Sequence, residues 1–337
     1  MLKTKRHTIL DVARTAGVSP ATVSRAFNNP ALLQPATLAR VRSAARRLRF
    51  VPNALARGLI TGRSGFVALV VPDITDPFFA HLAYAVESQL RPEGLMLIVC
   101  HTGEQRSEEA QLTRLLEERQ IDGLIYASEA LSGDGPSPLE ASRLPRVYVE
   151  RQPRRGRADT VILSKEGVHE VVDYLVGLGH RDIAMVTGHQ NTYGGRELLA
   201  AFQAALKRSG LRLPAQYVAA GDFNFDKSRM AAEQLLGLPR PPTAVFVGSD
   251  RMAHAFMMGT ADCGVRVPDD LSVVAFATAL VDKLVHPMLT NCQSSYEQVG
   301  QEAAALMVNR LRNPDSPWRR VTVPTRLLLR DSCRTVF

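Results

Sequence analysis

Basic side chains dominate the first 65 residues of this 337-residue chain. That segment holds twelve Lys or Arg residues and a single acid, Asp11, which gives it a net charge of +11, whereas the remaining residues together carry −3. An excess of positive charge this large opposes compaction of the segment unless a polyanionic partner neutralises it. We therefore expect the first 65 residues to bind nucleic acid.

Capping signals indicate the helices that position these charges. Thr8–Asp11 has the pattern of a capping box, Gly17 suits the left-handed position that ends a first helix, and Ser19 can cap a second helix over Pro20–Asn28. Two short helices joined across Gly17 form a helix-turn-helix. Apolar residues at helical spacing predict a third helix over Ala36–Arg49.

The second helix carries residues suited to reading DNA. In a helix-turn-helix its N-terminal residues meet base edges in the major groove, and a two-fold symmetric dimer matches a pseudo-palindromic operator. Arg25 can donate two hydrogen bonds to guanine O6 and N7, and Ala21 can offer a methyl contact, as to thymine. We expect Ser19 and Asn28 to touch phosphate. The predicted DNA contacts of this helix are Ser19, Pro20, Ala21, Thr22, Ser24, Arg25 and Asn28.

From Phe66 onward, short apolar runs alternate with helical stretches in two successive series. This alternation predicts parallel sheets built from βαβ units, arranged as two doubly wound lobes. Ligands of open α/β sheets bind beyond the carboxyl ends of the strands, so we expect a site in the cleft between the lobes. The residues that follow predicted strands and are expected to contact an effector there are Asp73, Phe78, Phe79, Glu150, Arg151, Thr192, Arg196, Phe223 and Asp250.

Signals for catalysis, metal binding and membranes are missing from the sequence. No GxSxG or HExxH motif is present, no glycine-rich phosphate loop follows a strand, and the four cysteines lack metal-ligand spacing. We therefore expect no enzyme activity, no cofactor and no metal. Without a long apolar run or a secretory signal, we expect a cytoplasmic protein without membrane contact.

Two motifs resemble those of the LacI/GalR family of bacterial transcriptional regulators. ILDVARTAGVSPATVSRAFN at 9–28 resembles the family's helix-turn-helix, and FVPNALARGLITGR at 50–63 resembles its hinge segment. The resemblance implies a homodimeric repressor whose operator affinity is controlled by a small metabolite, bound between two lobes like those of periplasmic binding proteins. It also implies a hinge that folds on DNA, with Asn53, Ala56 and Arg57 in contact and Leu59 wedging open a central base step.

A solute-binding protein and an enzyme are the two alternatives to a regulator. A solute-binding protein of a transport system would carry a signal peptide and lack the basic segment, and the sequence shows the reverse. An enzyme on a doubly wound fold would carry a catalytic constellation or a cofactor loop, and neither is found. The regulator is therefore the leading interpretation.

Departures from the family pattern bear on the effector. Ala277 stands where the family often has Asp, and Ser164-Lys165 stands where it usually has Asp-Asn. Loss of a carboxylate lowers the cost of binding an anion, while Arg196, which aligns with an effector-gripping arginine of sugar-responsive members, and Arg151 supply forked donors for a carboxylate or phosphate. Glu150, Asp73 and Asp250 argue the other way. We expect an acidic or phosphorylated metabolite, such as a sugar acid, ahead of a neutral hexose.

The expected domain organisation follows from these assignments. Residues 1–50 form an all-α helix-turn-helix domain and residues 51–64 form the hinge helix and linker. Residues 65–337 form the two-lobed α/β body, which binds the effector and dimerises. Its N-terminal lobe takes about 65–163 and 293–322, and its C-terminal lobe takes about 164–290 and 323–337.

Overall fold

The computed structural model of the chain describes residues 7–51, 63–103, 105–127, 138–153, 157–277 and 286–336. The chain divides into two compact units, Met1–Ser64 and Gly65–Phe337. The predicted fold class is confirmed: the first unit is helical, and the second contains two parallel sheets with helices around them.

The described residues of the first unit contain three α-helices, α1 (Ile9–Ala16), α2 (Pro20–Asn28) and α3 (Pro35–Arg47). A capping box between Thr8 and Asp11 starts α1, and Gly17 ends it with a φ of 63°. Val12, Val23 and Val41, one from each helix, are fully buried in the common core. Three short amphipathic helices thus pack their apolar faces onto one common centre.

The third helix is shorter than the predicted Ala36–Arg49. Pro35 already occupies its first turn, where a missing N–H costs nothing. Its end comes earlier because the Arg49 N–H bonds to Arg46 O, only three residues back, and Arg49 adopts a φ of 47°. A left-handed residue cannot continue an α-helix, so the last two predicted residues form its C-terminal turn.

The N-terminal lobe is a sheet with helices on both faces. Its strands are β1 (Phe66–Val71), β2 (Met96–His101), β3 (Gly123–Tyr126), β4 (Arg146–Val149), β5 (Asp159–Leu163) and β11 (Arg320–Val323), in the order β11-β5-β4-β3-β1-β2. All neighbours pair in parallel. The helices are α4 (Pro77–Leu90), α5 (Arg106–Glu118), α6 (Pro138–Ala141) and α11 (Tyr296–Arg312).

The C-terminal lobe repeats this plan with one antiparallel edge. Its strands are β6 (Ile183–Thr187), β7 (Val218–Ala220), β8 (Ala244–Val247), β9 (Ser272–Ala277), β10 (Thr290–Ser294) and β12 (Thr325–Leu328), in the order β12-β10-β9-β8-β6-β7. Only the β10–β12 pair is antiparallel among these described strands. The helices are α7 (Gly167–Gly177), α8 (Tyr193–Arg208), α9 (Phe225–Leu236) and α10 (Asp250–Asp262).

Burial on both faces explains the sequence of these strands. Val67–Val71 of β1 and all of β6 and β8 are buried along their whole length, which is why they are continuous apolar runs rather than alternating ones. Helices on each face supply that burial, and they leave the carboxyl ends of the strands uncovered.

Three segments cross between the lobes. The chain passes from β5 to α7, returns from β10 to α11, and passes again from β11 to β12. Pro324, which has no backbone N–H to give to a ladder, separates β11 from β12, so adjacent residues of one short segment serve both sheets.

A buried ion pair anchors the segment that leads into β11. Arg310 on α11 donates from Nε to Asp159 Oδ2 at 2.9 Å, and the two side chains are 3% and 1% exposed. Arg310 Nη1 donates to the carbonyls of Pro314 and Ser316, both at 2.7 Å, and its guanidinium lies 3.7 Å from the ring centroid of Trp318. The pair is compensated by these additional bonds, as a buried charge requires.

Replacing Asp159 by Ala is expected to destabilise the body strongly. The change leaves the Arg310 guanidinium buried without its carboxylate, and losing one partner of a buried pair costs about 3–5 kcal/mol. Urea unfolding measures the loss. Asp262→Ala is the matched control because it removes the exposed Arg229–Asp262 pair and should change little. Equal losses in the two variants would contradict the assignment.

Candidate ligand cavity and nucleic-acid interface

A cavity of about 710 Å³ lies between the two lobes, at the carboxyl ends of their strands. Both lobes contribute loops and helix N-termini to its wall, as the strand arrangement requires. Among the residues predicted to contact an effector, those that line it are Asp73, Phe78, Phe79, Glu150, Arg151, Thr192, Phe223 and Asp250.

Aromatic side chains form much of the wall. Phe78 makes edge contacts with Phe79 and with Tyr296, at centroid distances of 4.6 and 4.7 Å. From the other lobe, Phe223 has a φ of 50° and lies 5.9 Å from the His189 ring. These rings offer apolar faces to a flat or ring-shaped ligand.

Helix starts determine where several polar groups sit. Thr192 caps α8, since its Oγ1 accepts from Gly195 N at 3.2 Å and donates to His189 O at 2.7 Å. Ser249, not Asp250, caps α10. Asp250 is instead the first residue of α10, and its Oδ1 accepts from the Arg251 N–H at 2.7 Å.

Most of the charges in the wall are paired. Lys165 Nζ donates to Glu150 Oε2 at 2.8 Å, and Lys227 Nζ donates to Asp222 Oδ2 at 2.7 Å. Glu150 has a φ of 50°, and its Oε1 also accepts from the Leu163 N–H. The carboxylate of Glu150 is thus held on two sides at the end of β4.

Three acids and one arginine meet at one side of the cavity. Asp73 and Asp76 come from the N-terminal lobe, and Asp250 and Arg251 come from the C-terminal lobe. Burial raises the pKa of Asp76 above its ordinary value, and the negative charges of Asp250 and Asp73 act in the same direction. Burial acts to raise the pKa of Asp73 too, but hydrogen bonds from Thr75 and Arg251 outweigh it, and that pKa is lowered.

In the first unit, α2 presents most of the predicted DNA contacts to solvent. Ala21, Arg25 and Asn28 are exposed, as are Ser19 and Pro20 at the start of the helix. Ser19 Oγ accepts from Thr22 N at 3.2 Å and therefore caps α2, and Asn28 Nδ2 donates to Ser24 Oγ at 3.2 Å. The other predicted contacts, Asn53, Ala56, Arg57 and Leu59, lie outside the described residues.

Neither a metal centre nor a membrane span is found in the described part of the chain. No three His, Cys, Asp or Glu side chains come together there in a group that could hold a metal ion. None of the described helices is long and apolar enough to cross a bilayer.

Comparison with known proteins identifies the family. Residues 8–53 match the family model described as "Bacterial regulatory proteins, lacI family", and residues 172–333 match that of a periplasmic binding protein-like domain. The HTH-type transcriptional repressor CytR of Escherichia coli K12 is 31% identical over 98% of this chain and 97% of its own length. The repressor PurR of Vibrio parahaemolyticus is 30% identical over 97% of this chain and 98% of its own.

The chain belongs to the lacI family of bacterial regulatory proteins.

Solved structures agree with this assignment. A lac repressor dimer bound to operator and an anti-inducer superposes with a TM-score of 0.86 over 98% of this chain and 100% of that chain, although at 24% identity it shows the fold alone. A complex of the regulator CelR with cellobiose is 29% identical, with a TM-score of 0.73 over 97% of this chain and 100% of that one. The interpretation as an effector-responsive DNA-binding regulator rather than an enzyme is confirmed.

Within this lacI-family chain, Arg196 is not where the sequence led us to expect it. It does not line the cavity: its side chain is exposed, and Nη1 lies 3.5 Å from Gln190 O. The cause is helical phase. Gly195 and Leu198 lie on the buried face of α8, so the two residues between them, Arg196 and Glu197, point away from the cavity wall.

Arg151 does line the cavity, but its guanidinium is already paired with a carboxylate of its own lobe. It is 3% exposed, donates from Nη2 to Glu140 Oε1 at 2.8 Å, and lies over the ring of Tyr126 at 4.4 Å. A guanidinium paired with a buried carboxylate is already neutralised. The predicted forked donors for an acidic ligand are therefore not presented by Arg196 or Arg151.

Sequence reasoning assigned no role to several residues of the wall. Arg251, Asp222, Phe276 and Tyr296 line the cavity, as does Lys165, which was noted only as a departure from the family pattern. Arg251 and Asp222 follow strands by a few residues, so the expectation that ligands bind beyond the carboxyl ends of strands could have identified them. Tyr296 was not, because it begins a helix after a segment that crosses between the lobes.

The two aspartates at the rim are expected to respond oppositely to neutralisation. Asp76→Asn keeps a side chain that can cap α4 and removes a carboxylate with a raised pKa, so it should stabilise the body at pH 7. This gain should shrink as the pH falls through the raised pKa towards the ordinary value of 3.8.

Asp73→Asn is the counterpart within the same cluster. Its lowered pKa means that ionised Asp73 stabilises the fold, and this contribution is lost only as the pH falls below 3.8. The variant should therefore be destabilised from pH 7 to pH about 5, where carboxylates of ordinary pKa remain ionised. Urea unfolding across this range checks both variants, and two changes of the same sign would be inconsistent with the described cluster.

Proposed function

We propose that this chain represses transcription in the bacterial cytoplasm by binding a pseudo-palindromic operator as a homodimer. In this proposal, a small molecule in the cavity alters operator affinity. The observation that carries it is the α2 surface: a capped recognition helix that exposes Arg25, Ala21 and Asn28 within a unit of net charge +11. The family name and the operator-bound lac repressor dimer support it.

The first unit divides the work of binding between two helices. On α2, Arg25 is placed for base contacts, which carry specificity. On α3, the arginines at 40, 42, 46 and 47 are exposed, and none has an ion pair among the described contacts. Such arginines suit phosphates, which position the protein without specifying sequence.

We propose residues 1–50 as the DNA-binding domain, 51–64 as the hinge and 65–337 as the effector-binding and dimerisation body. Within the hinge, Asn53, Ala56 and Arg57 contact DNA and Leu59 wedges the central step, as the family resemblance implies. Within the body, we assign the N-terminal lobe to about 65–163 and 293–322. The C-terminal lobe takes about 164–290 and 323–337.

Effector control follows from linkage between the cavity and the DNA. A ligand that binds one arrangement of the lobes better than another shifts the population towards it. If that arrangement supports or splays the paired hinges, operator affinity changes by the same coupling free energy, and operator changes ligand affinity reciprocally.

The charge of the wall favours a neutral hydroxylated ring over the acidic metabolite that the sequence suggested. The described lining includes four cations, Arg151, Lys165, Lys227 and Arg251, against six carboxylates, Asp73, Asp76, Glu150, Asp222, Asp226 and Asp250. Carboxylates accept hydrogen bonds from hydroxyls and repel anions. Aromatic faces pack against sugar or base rings. Relatives bound to cellobiose and to ribose support this class.

Salt and base specificity test the DNA half. Arg25→Ala should lose about 1–3 kcal/mol of discrimination between the operator and random DNA. Arg46→Ala should weaken both alike and lower the slope of log affinity against log salt by about 1. Fluorescence anisotropy titrations across salt concentrations measure both. Operator binding that is indifferent to salt would contradict the proposal.

A thermal-shift panel tests the ligand class. Neutral sugars, including cellobiose and ribose, are compared at equal concentration with sugar acids and sugar phosphates. A neutral ligand at 100 times its Kd should stabilise the chain by about 2.7 kcal/mol. Phe223→Ala should reduce the response by removing an aromatic wall, whereas Arg196→Ala, outside the cavity, should retain it. Binding of acids alone, or a response abolished by Arg196→Ala, would overturn the class.

A further inference from the structure

An ion pair between α10 and the turn after β1 joins the two lobes at one side of the cavity. Arg251, the second residue of α10 in the C-terminal lobe, donates from Nη1 to Asp73 Oδ2 of the N-terminal lobe at 3.1 Å. The same nitrogen lies 4.0 Å from Asp76 Oδ2. A single guanidinium thus faces two carboxylates that belong to the opposite lobe.

Both carboxylates are fixed by their own lobe before they meet Arg251. Asp73 Oδ1 accepts from Thr75 N at 2.8 Å and from Thr75 Oγ1 at 2.7 Å. Asp76 Oδ1 accepts from Phe78 N at 2.8 Å and caps α4. In each case one oxygen holds the local turn and the other, Oδ2, faces the guanidinium. This arrangement reduces the ordering cost of the ion pair.

The sign of the interaction depends on Arg251. Asp250, its neighbour on α10, brings a negative charge close enough to help raise the pKa of Asp76. Without the guanidinium, carboxylates from the two lobes would repel one another across the cleft. With it, the two lobes attract at this rim.

A neutral contact between the lobes lies towards the other side of the N-terminal sheet. Tyr193, the first residue of α8, approaches Gln152 and Arg320 with its hydroxyl. Gln152 follows β4 and Arg320 begins β11, whereas Asp73 follows β1, so the two contacts fall on opposite sides of β3. The Tyr193 contact uses a neutral hydroxyl and is insensitive to the sign of charge at the Arg251 rim.

We propose that Arg251 is a positioning residue that latches the two lobes together through Asp73 and Asp76. The latch sets how far the cavity opens. Its effect on DNA rests on the proposed function, whereas its effect on lobe separation does not.

The experiment measures lobe separation in the full-length chain. Glu118 on α5 and Lys207 on α8 are exposed positions in opposite lobes and are changed to cysteine for nitroxide labels. The exposed Cys263 and the half-buried Cys100 are changed to Ser, while burial raises the pKa of Cys292 and of Cys333 to about 11 and slows their labelling. Labelled chain is diluted with unlabelled chain so that an assembly carries one labelled pair.

Charge reversal should open the cleft, and charge exchange should close it again. In Arg251→Glu, the main peak of the electron–electron distance distribution should move to longer distance, and 1 M salt should reduce the shift because the Debye length falls to about 3 Å. The double variant Asp73→Arg, Arg251→Asp should return the peak towards the wild-type distance. Arg251→Gln, a milder change, should also shift the peak to longer distance. It serves as the test if Arg251→Glu does not fold.

Arg240→Gln is the matched control. Arg240 Nη2 donates to Asp182 Oδ2 at 2.7 Å, and both residues belong to the C-terminal lobe, so the distance should not change. A wild-type distance in folded Arg251→Glu or Arg251→Gln, or failure of the exchanged pair to restore it, would overturn the latch. Operator titrations of the same chains test the other half separately: wild-type chain that binds no operator would refute the proposed function and leave the distance result standing.

Discussion

Burial of both faces of two parallel sheets is the constraint on which the body depends. Parallel neighbours in a sheet are joined by connections that leave the carboxyl edge and return over a face, so helix starts collect at that edge in both lobes. Four helix-capping residues, Asp76, Thr192, Asn224 and Ser249, line the cavity for this reason. The polar character of the site is thus largely a consequence of how its helices begin.

Electrostatics divides the chain into two functional halves. The first unit carries a net charge of +11 and the remainder −3, so long-range attraction for a polyanion is confined to the unit with the recognition helix. The cavity has the opposite balance, with carboxylates in excess of cations among its described lining. One chain can therefore bind DNA and a small-molecule effector without either ligand competing for the other's site.

Local signals predicted more of this molecule than long-range contacts could. The capping box at Thr8–Asp11 and the start of α2 at Pro20 are set by neighbours within four residues, and both follow the sequence. Arg151 shows the limit. Its position after β4 indicated the cavity wall, but the Glu140 carboxylate that neutralises it comes from a separate helix.

Helical phase and pairing across lobes account for the other differences. The position of Arg196 soon after β6 predicts that it lies near the cavity, but it does not show which side of α8 faces inward. The burial of Gly195 and Leu198 determines the inward side. Arg251 is the reverse case: nothing in its local sequence reveals that Asp73, far away in the chain, lies 3.1 Å from its guanidinium. Contacts between distant segments are fixed by topology, which periodicity alone does not contain.

The three passages between the lobes have a consequence for biosynthesis. The described helices of the first unit lie within Ile9–Arg47, so they can pack together as soon as those residues leave the ribosome. Neither lobe has that option, because β11 and β12, the edge strands of the two sheets, are the last strands to be made. The nascent chain therefore carries a packed recognition helix while both sheets still have open edges, and these edges are where wrong strand pairing between nascent chains can begin.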